Sequence, residues 1–162
     1  MLSLSRRRVM AMIVLSLTTS ACAATPVTKP AAPEPSLYPN ETPELRSLIN
    51  KYAEIYEIPP SLLHRLAIRE STHRPWAVNR PYYGLLQILP ATARSMGFRG
   101  QPKDLLDAET NLKYAGKYLR GAWLLADGSE DMAVKHYSRG YWREAKRRGM
   151  LIETGLVQPK PQ

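Results

Sequence analysis

PSLLHRLAIRES, residues 60–71, is the stretch that decides the fold class of this chain. Pro59 and Pro60 stop whatever precedes them. Pro60 suits the first turn of a new helix, because the N–H it lacks is one that a helix start leaves unpaired anyway. Leu63, Leu66, Ala67 and Glu70 then recur at i, i+3, i+4 and i+7, the spacing of one helix face. The same period extends outward in both directions. Upstream, Thr42 caps, Pro43 fills the first turn, and Leu45, Leu48, Ile49, Tyr52, Ile55 and Tyr56 form a stripe. Downstream, Pro90 opens a short helix that Gly97 ends, and Leu112, Ala115, Gly116, Leu119 and Trp123 mark a longer one. Met132–Tyr137 and Arg143–Arg148 suggest two more. No alternating run competes, so residues 43–158 are expected to form one compact all-α or mostly α domain, with at most a minimal β element near residues 82–88.

Glu70 is the exception on its helix face: a carboxylate stands where an apolar residue is due. Partial burial raises a carboxyl pKa, and the negative end of the helix dipole acts in the same direction. Both favour a protonated acid near neutral pH, the state that a general acid for glycosidic cleavage needs. A buried glutamate satisfied by neighbouring donors, or a helix rolled so that Glu70 is wet, fits the periodicity equally well. Periodicity alone leaves the choice open.

The neighbouring residues narrow it. Glu70-Ser71 is followed by Pro75, Ala77 and Val78. Residues 84–93 read GLLQILPATA, Asn111, Gly116, Tyr118 and Leu119 read N-x4-G-x-Y-L, and Tyr137-Ser-Arg-Gly140 follows. In order and spacing these elements resemble the soluble-type (SLT) peptidoglycan lytic transglycosylases, relatives of goose-type lysozyme, over most of residues 45–142. The resemblance implies a lysozyme-like fold and an enzyme that needs neither cofactor nor metal. Its single catalytic Glu70 would cleave the β-1,4 bond between N-acetylmuramic acid and N-acetylglucosamine and leave a 1,6-anhydromuramoyl end.

Each matched element also has its own chemistry. Ser71 can donate a hydrogen bond that holds the Glu70 rotamer. Gln87 offers donor and acceptor for an N-acetyl group, and Gly84 permits close backbone approach to a sugar. Tyr137 can orient sugar or acid, or serve as core. Gly116 and Asn111 read as scaffold, and Pro90 and Thr92 as helix-start chemistry. Tyr82 or Tyr83 is expected to touch glycan, whereas Trp76, Tyr141 and Trp142 are core by default. Asp104, Asp107 and Glu109 are available as a second carboxylate, but an acid before the Asn111 helix is ordinary capping chemistry. Two departures bear on the cleft. Ser138 stands where the family has Asn, and Asn79-Arg-Pro-Tyr-Tyr83 replaces small residues, which implies a reshaped cleft wall.

The rest of the chain bears on location. Among 162 residues there are 23 Lys plus Arg, 14 Asp plus Glu, and a single Cys. One cysteine excludes an intramolecular disulfide, and His64, His73 and His136 lack the sequence spacing of a zinc or haem site, so no metal is expected. Residues 1–21 carry Arg6-Arg7-Arg8, a short apolar run and small residues, the pattern of an export signal peptide. Thr19-Ser-Ala-Cys22 resembles a lipobox with Cys22 as the lipidation site. Cleavage after Ala21-Cys22-Ala23 is the alternative. Removing residues 1–21 takes three arginines and no acid, lowering the formal charge from +9 to +6. Residues 22–42 are proline-rich and read as a tether, with residues 159–162 a tail. The expected setting is periplasmic, with possible attachment to the outer membrane through Cys22. The expected partner is the anionic glycan of peptidoglycan, met by a monomer, with no nucleic acid. A hydrolytic muramidase and a non-catalytic peptidoglycan-binding protein of the same fold remain as alternatives.

Overall fold

A computed structural model describes residues 36–158. The expected export signal, the expected anchor at Cys22, most of the expected tether and the tail 159–162 lie outside the described residues. Six α-helices appear among those described: α1 (Pro43–Ile55), α2 (Pro60–Ser71), α3 (Pro90–Ser95), α4 (Ala108–Leu124), α5 (Glu130–Arg139) and α6 (Trp142–Arg148). Their ends follow ordinary capping chemistry. Thr42, Asp107 and Ser129 accept from the backbone N–H of Leu45, Thr110 and Met132, opening α1, α4 and α5. Pro43, Pro60 and Pro90 occupy first turns. The mostly α, lysozyme-like architecture is therefore as the sequence implies.

Helix α4 is the central element. It packs against α1, α3, α5 and a 3-10 helix at Pro102–Leu106, while α2 packs on α1 and α5. Ile49, Leu62, Leu63, Leu66, Leu85, Leu86, Leu105, Leu112 and Leu119 are fully buried between them, each contributing about 1.5–3 kcal/mol of burial free energy. Gly116 lies where a Cβ would come within 2.8 Å of the Tyr56 ring, so its absent side chain lets α4 approach the end of α1. No helix among the described residues is long and apolar enough to cross a membrane.

The small β element comprises β1 (Val78–Asn79) and β2 (Tyr82–Tyr83), paired antiparallel, with a further bridge from Tyr83 to Ile88. It begins four residues before the expected 82–88. The 3-10 helix is too short to show a period. Ile55, counted in the apolar stripe of α1, is exposed, and α1 stops there with Tyr56 as its C-cap. Trp76 and Trp142, expected in the core, are 64% and 51% exposed, whereas Tyr141 is buried. Tyr38–Thr42, read as tether, lies against the domain: the Tyr38 ring stacks on His73 at 5.2 Å, and Glu41 is buried.

Candidate active site

Helix α2 ends in two consecutive left-handed residues, Thr72 and His73, with φ of 53° and 55°. Their N–H groups bond back to the carbonyls of Ile68 and Ala67, a pairing that satisfies the last turn and stops the helix. Glu70 is thereby held on the final turn of α2, in the wall of a cleft of about 550 Å³. Its side chain is 22% exposed. Burial raises the Glu70 pKa, and the Arg69 guanidinium, 3.5 Å from Oε1, partly opposes that rise. The carbonyl end of α2 adds to the effect of burial. The net result is an acid that keeps its proton to higher pH than an ordinary glutamate.

The structure brings Glu70, Tyr82, Gln87 and Tyr137 together around this cleft, with Arg69, Thr92, Tyr118, Ser138 and Arg139 in the same wall. Ser71, Tyr83 and Gly84 do not line it. The Ser71 hydroxyl donates to the Ala67 carbonyl (3.3 Å) and accepts from Arg74 N–H (3.1 Å); the serine pins the turn after α2 and no bond joins it to Glu70. Gly84 has φ +78°, and a Cβ there would fall 2.0 Å from the Leu105 carbonyl and 2.2 Å from Asn111 Nδ2. Close internal packing, rather than approach of a sugar, requires this glycine. Tyr83 packs against the core and carries backbone bonds to Ile88.

Gln87 also differs from expectation. Its amide nitrogen donates to the carbonyls of Ala77 (3.1 Å) and Gly84 (2.8 Å). Both hydrogens are thus spent inside the protein, and the amide oxygen is the part left to meet a ligand. The residue adopts φ +47°, and its N–H bonds the Gly84 carbonyl, so a tight turn presents it to the cleft. The next carbonyl upstream, that of Leu86, accepts from the buried Tyr137 hydroxyl at 2.8 Å. Burial, with the nearby Glu70 charge, pushes the Tyr137 phenol well above its ordinary pKa, so it stays a neutral donor. Tyr118 packs edge-on against Tyr137 at 5.3 Å.

Asn111 supports the opposite side of this turn. Its Oδ1 accepts from Leu86 N–H (2.9 Å), and its Nδ2 donates to the carbonyls of Tyr83 (3.0 Å) and Leu105 (2.8 Å). The turn is therefore held from α5 by Tyr137 and from α4 by Asn111. Ser138 spends its hydroxyl on the Val134 carbonyl one helical turn back, so it does not reproduce the forward reach of an asparagine amide.

Glu70 is the only acid in the cleft wall among the described residues. The other carboxylates named from sequence have structural roles. Asp104 accepts from Gln101 N–H, Asp107 caps α4, and Glu109 pairs with Lys51 at 2.8 Å. Arg69, Ile88, Leu89, Thr92, Tyr118, Arg139 and Gly140 are the lining residues that sequence reasoning did not assign to the site. Arg69 had a readable signal, a cation beside the candidate acid on the last turn of its helix, and Tyr118 lay inside a matched motif. Thr92 had none.

The histidines also depart from expectation. Although their sequence spacing fits no metal site, the fold places His64 and His73 with Glu41 so that one ligand atom from each lies within 4.8 Å of the others, all three residues being buried.

The family model for the transglycosylase SLT domain matches residues 47–149. No solved structure matches the chain. The match covers well over half of the sequence and spans α2, the β element and α5, the segments that build the cleft; the chain belongs to the transglycosylase SLT domain family.

Proposed function

We propose that this chain is a peptidoglycan lytic transglycosylase in which Glu70 serves first as acid and then as base. The observation that carries this reading is a cleft with a single, half-buried carboxyl whose pKa is raised by burial. Glycosidases with a separate nucleophile or base place two carboxyl groups across the scissile bond, about 5–9.5 Å apart, and no second acid stands in this wall among the described residues. One carboxyl suffices if the substrate supplies its own nucleophile. Glu70 gives its proton to the bridging oxygen of a β-1,4 MurNAc–GlcNAc bond as that bond breaks. The neighbouring N-acetyl group stabilises the cationic sugar. The C6 hydroxyl then attacks C1 and returns its proton to Glu70, leaving a 1,6-anhydroMurNAc end and the acid ready for another cycle. The Gln87 oxygen is suited to accept from the N-acetyl N–H.

Mass spectrometry of digested glycan strands tests the reaction. Ends lighter by one water than reducing ends are expected. Reducing ends would make the enzyme a hydrolytic muramidase, and an intact glycan would leave a binding protein.

The Arg69–Glu70 pair gives a second test. Activity needs protonated Glu70, so the rate should fall as pH rises through its pKa. Arg69 favours the charged form. Arg69→Gln should therefore move the alkaline limb of the pH–rate profile to higher pH, by a small amount, because the Arg69 side chain is 54% exposed and solvent screens the pair. An unmoved limb, or one shifted downward, would remove Arg69 from control of the acid.

The proposal extends to location. An exported chain anchored through Cys22 would work on the wall polymer, whose carboxylates suit the positive net charge.

A further inference from the structure

Helix α1 is preceded by a turn in which Glu41 N–H bonds the Tyr38 carbonyl and Tyr38 N–H returns a bond to Glu41 Oε2 (2.9 Å). Arg46 Nη2 also donates to Oε2 at 2.6 Å. That oxygen is well supplied. Its twin, Oε1, is buried and has no hydrogen-bond partner. It is aimed at two imidazoles: His64 Nδ1 lies 3.3 Å away and His73 Nε2 4.0 Å, and those two nitrogens are 3.4 Å apart. The Glu41 and His73 side chains are fully buried, and that of His64 is 10% exposed.

The hydrogen bonds fix what these atoms present to one another. His64 Nε2 faces Asn50 Oδ1 at 3.2 Å. An amide oxygen only accepts, so Nε2 carries the hydrogen and Nδ1 of the neutral ring is a lone pair. His73 Nε2, 3.4 Å away, can donate its hydrogen to that lone pair, but Glu41 Oε1 faces the same lone pair at 3.3 Å and receives no hydrogen. His73 Nδ1 is buried without a partner as well, so the cluster is not closed by its own hydrogen bonds.

A metal cation bound by all three residues supplies the partner that Glu41 Oε1 lacks. Three donor atoms separated by 3.3, 3.4 and 4.0 Å admit a point about 2.1 Å from each, the length of a Zn–N or Zn–O bond. Two imidazoles and a carboxylate suit zinc better than calcium or magnesium, which prefer oxygen alone. The bond from His64 Nε2 to Asn50 is the outer contact that orients a ligating histidine. The Arg46 guanidinium sits on the Oε2 side, directed at that oxygen and at the Ser36 carbonyl.

We propose that Glu41 Oε1, His64 Nδ1 and His73 Nε2 bind a zinc ion that fastens the segment before α1 to the end of α2. His73 is three residues beyond Glu70, so the ion stiffens the turn that terminates the acid's helix. It stands outside the cleft wall and takes no part in the reaction.

The test uses the untagged full-length chain, stripped with EDTA and titrated with ZnCl2 against a chromophoric chelator. One equivalent of zinc is expected. Affinity should fall at least about 100-fold in Glu41→Gln and in His64→Gln and stay unchanged in His136→Ala. Cobalt loaded into the wild-type chain provides a readout that does not depend on a variant folding: intense visible bands of a four-coordinate ion are expected, and weak six-coordinate bands would overturn the site. Failure to take up a stoichiometric ion would also overturn it, as would equal affinity in Glu41→Gln. So would a histidine nitrogen NMR spectrum, recorded with zinc present, that shows His64 as imidazolium, since the cluster would then be an ordinary ion pair.

Discussion

Glu70→Gln is expected to abolish glycan cleavage, lowering turnover by about 10²–10⁴-fold, while the melting temperature stays the same or rises. The amide keeps the shape of the side chain but can neither give up a proton nor take one back. The stability half follows from the direction of the Glu70 shift. Its folded-state pKa is raised above that of an ordinary glutamate, chiefly by burial. The folded chain therefore holds this proton more tightly than the unfolded one. Any stability it confers is present below the unfolded pKa and is lost as pH rises through the folded one. The ionised form of Glu70 disfavours the fold, so a neutral isostere relieves that cost wherever the carboxyl is charged. Wall-turbidity assays and thermal melts on the same preparation check both halves. Turnover within about tenfold of wild type would remove Glu70 from the chemistry, and a large loss of stability would mean that the carboxylate is a structural ion.

Asn111→Ala carries the largest expected stability effect. The side chain is fully buried and makes three hydrogen bonds to backbone groups of Tyr83, Leu86 and Leu105. The Tyr83 carbonyl keeps its bond from Ile88 N–H, but Leu86 N–H and the Leu105 carbonyl lose the partner described above. Each orphaned buried group costs about 1–3 kcal/mol, so a loss of about 3 kcal/mol is expected from urea unfolding. Activity should fall as well, because the Leu86 backbone positions Gln87. A loss below about 1 kcal/mol would show that the turn at residues 84–87 is held by other contacts.

Much of this architecture is readable from the residues. The helices follow from a 3.6-residue period punctuated by proline and glycine, and Thr42 and Asp107 are read correctly as caps because capping is local chemistry. Glu70 stands out for a related reason: a carboxylate in an apolar stripe is visible on one helix. What the sequence hides is everything that depends on two segments meeting. Ser71 looks like a partner for its neighbour Glu70, yet the left-handed end of α2 turns its hydroxyl toward Ala67 and Arg74. Gly84 looks like a contact for substrate, but the residues that forbid a side chain there, Leu105 and Asn111, come from the 3-10 helix and α4. The histidines are separated in sequence by intervals that fit no metal site. They converge because residues 72 and 73 reverse the chain and because a proline-rich segment, expected to be idle, folds back with Glu41.

The bonds that hold the cleft wall join three side chains, those of Gln87, Asn111 and Tyr137, to main-chain groups: the Ala77, Tyr83, Gly84 and Leu86 carbonyls and the Leu86 N–H. Tyr82 and Ser138 line the cleft but take no part in those bonds, so the wall does not depend on which side chain stands at either position. Positions such as Tyr82 and Ser138 can therefore drift under selection for a different wall polymer while the scaffold beneath them is conserved. In this chain, evolvability of the binding surface and stability of the fold are written into separate sets of atoms.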